Sequence, residues 1–203
     1  MHVLFIRHGE AGAEQACPEE GTLTELGVKQ AKLAGEALVG QGIERLFSSP
    51  YPRAMQTALN ISRKIGLPVE LRHWIHEKSG PGDRATRSDI ASKFPSFIIP
   101  DDMPEVWWPD HGESWEDVYR RVKPAVDEFK SLDGKHERIA VVAHGGSIDA
   151  LVSVWVDCPP TLERSRFYHH NCCFTLVSYQ EGRGRVHYIN QFDHLGKRDL
   201  FFY

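Results

Sequence analysis

In Arg138-Ile139-Ala140-Val141-Val142-Ala143-His144-Gly145-Gly146-Ser147, five apolar residues run without polar alternation and give way to a histidine, two glycines and a serine. Such a run is too short for a helix and reads as a strand buried on both faces, the kind found inside a parallel sheet. The glycines turn the chain and a helix to about Val156 follows. Strand, Gly turn and helix N-terminus together make an arrangement that favours anions.

Upstream the same pattern recurs. Residues 2 to 6 form a short β-branched and aromatic run that ends at Arg7-His8-Gly9, and Arg45-Leu46-Phe47-Ser48-Ser49 is a second parallel strand closed by Pro50. Between them Thr24 suits a helix N-cap, with Leu26, Leu33, Ala34, Ala37 and Leu38 on one face before Gly40 and Gly42 stop it. This predicts a βαβ unit. After Pro52 a helix from Ala54 to Ile65 and a strand at Val69-Glu70-Leu71 follow. Downstream, Ser114-Trp115-Glu116-Asp117 resembles a capping box, and its helix carries Val118, Val122, Ala125, Val126 and Phe129 on one face, with a kink expected at Pro124. Strands near 173 to 179 and 184 to 190 suggest a hairpin about Glu181-Gly182-Arg183-Gly184. The expected fold is α/β, a three-layer α/β/α sandwich with a mostly parallel sheet. Residues 1–203 would be one domain with an inserted cap at about 73–113, where Pro81, Pro95, Pro100, Pro104 and Pro109 break regularity.

The chain has 203 residues, 24 Lys plus Arg, 28 Asp plus Glu and a formal net charge of −4, so no global positive field draws it to nucleic acid or an anionic membrane. No apolar run approaches the length of a membrane span. The N-terminus shows no export signal, and Cys17, Cys158, Cys172 and Cys173 contain no CxxC pair. A cytoplasmic protein is expected. His169-His170 with Cys172-Cys173 matches no common metal spacing, so no metal and no cofactor are expected.

In a parallel sheet the carboxyl ends of the strands share one edge, where ligands bind. Arg7, His8, Arg53 and His144 therefore converge. Cations gathered in one place repel unless a polyanion sits among them, and a phosphoryl group fits, with Arg as planar donor and the helix N-terminus at Gly145 offering N–H groups.

The ordered set Arg7-His8-Gly9-Glu10, Leu23-Thr24 with Gly27 and Gln30-Ala31, Ser48-Ser49-Pro50 with Arg53 and Gln56-Thr57-Ala58, Gly112-Glu113-Ser114, and Ala143-His144-Gly145 resembles the histidine phosphatase, or phosphoglycerate mutase-like, superfamily. Asn190 and His194-Leu195 resemble the close of its bacterial phosphatase branch. The resemblance implies that His8 is a nucleophile forming a phosphohistidine, and that Arg7, Arg53, His144 and Gly145 cradle the phosphate. It also implies a carboxylic acid that protonates the leaving group. Glu77 fits, with Asp83 and Glu10 as alternatives, because Pro81-Gly82-Asp83 stands where the family commonly has Trp-Glu-Gly. Lys78, Arg84 and Arg87 are candidate contacts to a second anionic group on the substrate. The expected function is a metal-independent phosphomonoester hydrolase acting on a small phosphorylated metabolite. The alternatives are a phosphoglycerate mutase-type phosphotransferase and a catalytically silent phospholigand-binding protein. Against a mutase, the longer Asn-containing loop after the first motif is missing.

Overall fold

The computed structural model describes residues 1–12, 22–78, 84–109, 112–158 and 167–196. The strands are β1 (His2–Arg7), β2 (Arg45–Ser48), β3 (Val69–Leu71), β4 (Arg138–Ala143), β5 (Phe174–Gln180) and β6 (Arg183–Gln191). The helices are α1 (Glu25–Leu38), α2 (Pro52–Ile65), α3 (Arg87–Lys93), α4 (Trp115–Lys130) and α5 (Gly145–Trp155).

The strands form one six-stranded sheet in the order β3-β2-β4-β1-β5-β6. β3, β2, β4 and β1 are parallel, whereas β5 runs antiparallel to β1 and β6 antiparallel to β5. The expected βαβ crossover through α1 is present with a strand inside it: β1 and β2 each pair with β4, not with one another. β4 is apolar on both faces, as a strand covered by helices on either side must be.

Alternation along the strands divides the core. Leu4, Ile6, Leu46, Ala140 and Val142 pack under α1 and α2. Val3, Phe5, Phe47, Ile139 and Val141 pack under α4 and α5. Period-2 strands between two amphipathic helical layers give the three-layer sandwich. Thr24 caps α1 by accepting from the Gly27 N–H, Ser114 and Asp117 form the predicted capping box on α4, and α4 accommodates Pro124 inside it.

From the stretch read as a cap, Ile90, Phe97, Met103 and Trp107 are buried in the same cluster as α1 and α2, and Ile98 bridges in parallel to Glu70 of β3. The described part of this stretch is thus packed on the sheet's edge and face. Among the described residues, no helix is long and apolar enough to cross a membrane.

Candidate active site

The parallel register brings three strand ends level. Arg7 lies opposite Ala143 and Ser48 opposite Val142. The ladder then continues one step beyond the strands, with His8 N–H donating to the Ala143 carbonyl (2.9 Å) and Ser49 N–H to that of Val142 (3.0 Å). His8 and His144 therefore face each other with ring centroids 5.0 Å apart.

His8 is buried, at 7% exposure. Its Nδ1 lies 2.7 Å from the Gly9 carbonyl oxygen, which can only accept, so Nδ1 carries the proton and Nε2 the lone pair. Arg53 Nε–H donates to that Nε2 at 3.1 Å. Burial first, then the charges of Arg53 and Arg7, hold the His8 pKa well below its usual value, so the ring is neutral at neutral pH. Burial and the Arg53 charge do the same to His144, whose Nε2 lies 2.8 Å from Ser49 Oγ and whose buried Nδ1 has no partner among the described residues.

Arg53 lies over the Tyr51 ring at 4.6 Å. Burial lowers its pKa, while the nearby Glu77 and Tyr51 oppose that and Arg7 adds to it. Arg7 donates from Nη1 to the His169 carbonyl at 2.5 Å, and its buried Nε is without a partner among the described residues. A cluster of this sign with unsatisfied inward donors is chemistry suited to an oxyanion. The backbone approaches as closely as the side chains. A Cβ on Gly9 would sit 2.5 Å from the Gly27 carbonyl oxygen, and one on Gly27 would sit 2.0 Å from that of Glu10.

Beside this cluster a depression of about 350 Å³ is lined by Arg7, Glu77, Lys78, Trp115, Gly145, Gly146, Phe167, Tyr168 and His169. Glu77 spans its floor, accepting from the Lys78 N–H (2.8 Å) on one oxygen and the Gly146 N–H (3.1 Å) on the other. The sequence left the first-turn amides of α5 to a phosphate; the Gly146 amide instead holds this carboxylate. Glu10 accepts from the Thr24 hydroxyl at 2.8 Å, which occupies it at the start of α1, and Asp83 lies outside the described residues. Lys78 stands 5.2 Å over the Trp115 ring at the edge of the depression. Arg84 and Arg87 do not line it: Arg84 lies 5.7 Å over Trp108, and Arg87 N–H donates to the Glu105 carbonyl.

Further residues join the site, of which Asn171 carried no signal in the sequence. Ser49 meets His144, Thr57 accepts from the Gly9 N–H at 3.0 Å, and the Asn171 amide donates to the His8 carbonyl at 2.9 Å. Ser48-Ser49-Pro50 and Gln56-Thr57-Ala58 were noticed as motifs, but their contacts across the sheet edge had no local signal. Among the described residues, no group of three or more His, Cys, Asp or Glu is arranged to hold a metal ion.

The profile of the histidine phosphatase superfamily (branch 1) matches residues 3–191. The chain belongs to that superfamily. Among histidine phosphatase relatives, it is 28% identical to the protein named "Probable phosphoglycerate mutase GpmB" of Yersinia pestis (strain Pestoides F), over 89% of this chain and 86% of that one. Among solved structures, it is similar to a mycobacterial glucosyl-3-phosphoglycerate phosphatase in complex with VO3, with a TM-score of 0.71 and 25% identity, covering 94% of this chain and 99% of that one. It shares its histidine phosphatase fold with a putative alpha-ribazole-5'-P phosphatase from Escherichia coli K-12, with a TM-score of 0.70, 20% identity and coverage of 94% and 97%.

Proposed function

We propose that the protein is a phosphomonoester hydrolase that works through a phosphohistidine on His8, with a small phosphorylated metabolite as substrate. The observation that carries this reading is the fixed tautomer of a buried, neutral His8: Nδ1–H is tied to the Gly9 carbonyl, so the lone pair lies on Nε2, beside Arg53. Nε2 attacks phosphorus, the bond from phosphorus to the ester oxygen breaks, and Glu77, entering the step as the neutral carboxylic acid, gives the departing oxygen its proton and is left as the carboxylate. Water then attacks the phosphohistidine, Glu77 takes a proton from it, and phosphate leaves with His8 restored. Arg53, freed from Nε2 when a phosphoryl group offers better acceptors, joins Arg7 and His144 in holding the equatorial oxygens, whose charge needs no metal beside two guanidinium groups.

A phosphoramidate on imidazole survives alkali and not acid. Brief incubation with a labelled phosphomonoester and an alkaline quench leaves label on the wild-type protein and none on His8→Ala. Label on His8→Ala, or label stable to acid, overturns the reading. The name of the Yersinia relative favours a phosphotransferase as the second reading; net phosphate release gives way to transfer on adding 3-phosphoglycerate and its bisphosphate only if that one holds.

A further inference from the structure

The Glu77 carboxylate is met by two main-chain amides, but the main chain that delivers it is not in a strand. β3 ends at Leu71, a short 3-10 turn covers His73–Ile75, and Glu77 follows without a ladder partner of its own. Its own His76 Nδ1 lies 2.6 Å from the Glu77 carbonyl oxygen, and a side chain from α4 holds the main chain from outside. Arg121 Nη1 donates to the carbonyls of Trp74 (2.8 Å) and His76 (3.0 Å), the latter in the residue immediately before Glu77. The rest of its guanidinium is taken by Glu113, with Nε to Oε1 at 2.7 Å and Nη2 to Oε2 at 2.9 Å. The pair is largely removed from water, Arg121 at 14% and Glu113 at 7% side-chain exposure.

An ion pair at this depth is a poor stabiliser compared with apolar residues of the same volume. α4 does not need it for docking either, because Val118, Val122, Ala125, Val126 and Phe129 already bury its inner face. What the pair supplies is geometry: a planar fork held at one end by a carboxylate and aimed at the other at two carbonyls. Lysine, a single ammonium, cannot reproduce that. The Gly112-Glu113-Ser114 motif thereby acquires a task besides capping α4, which Ser114 does.

We propose that Arg121, oriented by Glu113, is the positioning residue for the Glu77 proton donor, holding the His76–Glu77 main chain so that the carboxylate stands over the α5 N-terminus. This inference rests on the hydrolase reading and gives Arg121 no contact with substrate. A small displacement of a catalytic group can cost on the order of a hundredfold in rate, and general acid catalysis as a whole contributes about 10² to 10⁴. The signature is leaving-group dependence. An alkoxide needs the proton, whereas p-nitrophenolate departs without it.

The experiment compares kcat of the wild type, Arg121→Lys, Glu113→Gln and Glu77→Gln on an alkyl phosphate and on p-nitrophenyl phosphate. Arg121→Lys is expected to lose about tenfold to a hundredfold on the alkyl ester and to stay within about threefold on the aryl ester, with Glu113→Gln changing in the same direction. Added to Glu77→Gln, Arg121→Lys should cost nothing more on the alkyl ester. Equal losses on both esters, or a further loss in the double variant, overturn the proposal and make Arg121 a structural residue. If Arg121→Lys does not fold, Glu113→Gln decides by the same ratio. If Glu77→Gln itself shows no leaving-group dependence, the proton comes from elsewhere, and the proposal falls with the role of Glu77 while the phosphohistidine reading stands on its own labelling test.

Discussion

Around His8 the chain is fixed by the sheet: its amide continues the β1–β4 ladder, its carbonyl is held by Asn171, and its ring is tied to the carbonyl of the next residue. Around Glu77 the chain is fixed by a helix it does not pair with, through the Arg121 fork, and by the Gly146 amide of a second helix. One corner takes much of its precision from backbone pairing, with side chains such as Asn171 and Thr57 added to it. The other depends on individual side chains brought from some 40 residues away, here Glu113 and Arg121. A fold of this kind can keep its nucleophile constant and still vary the acid half, which is where the depression and Lys78 lie.

The largest effects should come from the sheet-held corner. On the hydrolase reading, Arg53→Ala, Arg7→Ala and His144→Ala would each remove a group that holds the transferring phosphoryl, and each should reduce kcat by about 10² to 10³. Inhibition by vanadate should weaken in parallel with turnover across the three. Near-normal turnover in any one would remove that residue from the cradle. At the other corner, a Cβ on Gly146 would sit 2.5 Å from Glu77 Oε1 and 2.8 Å from Trp115 Cη2, so Gly146→Ala must push the carboxylate aside. A loss of about tenfold on alkyl phosphates, with p-nitrophenyl phosphate little changed, is expected. A variant equally impaired on both would mean that the methyl group disturbs the cradle as well, and that the corners are not separable.

A further effect, on stability rather than rate, is shared by both corners. His76 and His169 are held neutral, each with its pKa lowered to about 4, mainly by burial, and His8 and His144 are lowered in the same way. The unfolded chain binds protons on these rings below about pH 6.5, where the folded protein does not. Stability is therefore complete above that pH and is lost as pH falls from about 6.5 toward 4. The slope is up to about 1.4 kcal/mol per pH unit for each such histidine. Urea midpoints at pH 7.5 and pH 5 test it; a midpoint that rises on acidification has the wrong sign.

The same contrast governs what could be read in advance. β1, β4 and the helix after His144-Gly145 carry their patterns locally, and the convergence of Arg7, His8, Arg53 and His144 follows once the strands are taken as parallel. That β4 lies between β1 and β2 is not in any local pattern, since edge pairing is made by main-chain groups that every strand carries. The packing of Ile90, Phe97 and Trp107 in the same cluster as α1 and α2 has no local signal among prolines that interrupt every period. The Arg121 fork had no signal either. An arginine on an amphipathic helix reads as solvated until the carbonyls it meets are known.

The tautomer of His8 has an evolutionary corollary. Its proton sits where it does because of a main-chain carbonyl, and no substitution of a neighbouring side chain deletes a carbonyl. Drift at surrounding positions can alter rate, affinity or specificity without moving the lone pair off the nucleophilic nitrogen. At Gly9 and Gly27 any side chain would drive two backbones apart. The place of the proton on His8 is thus guarded by main chain, and around Gly9 and Gly27 by the lack of a side chain.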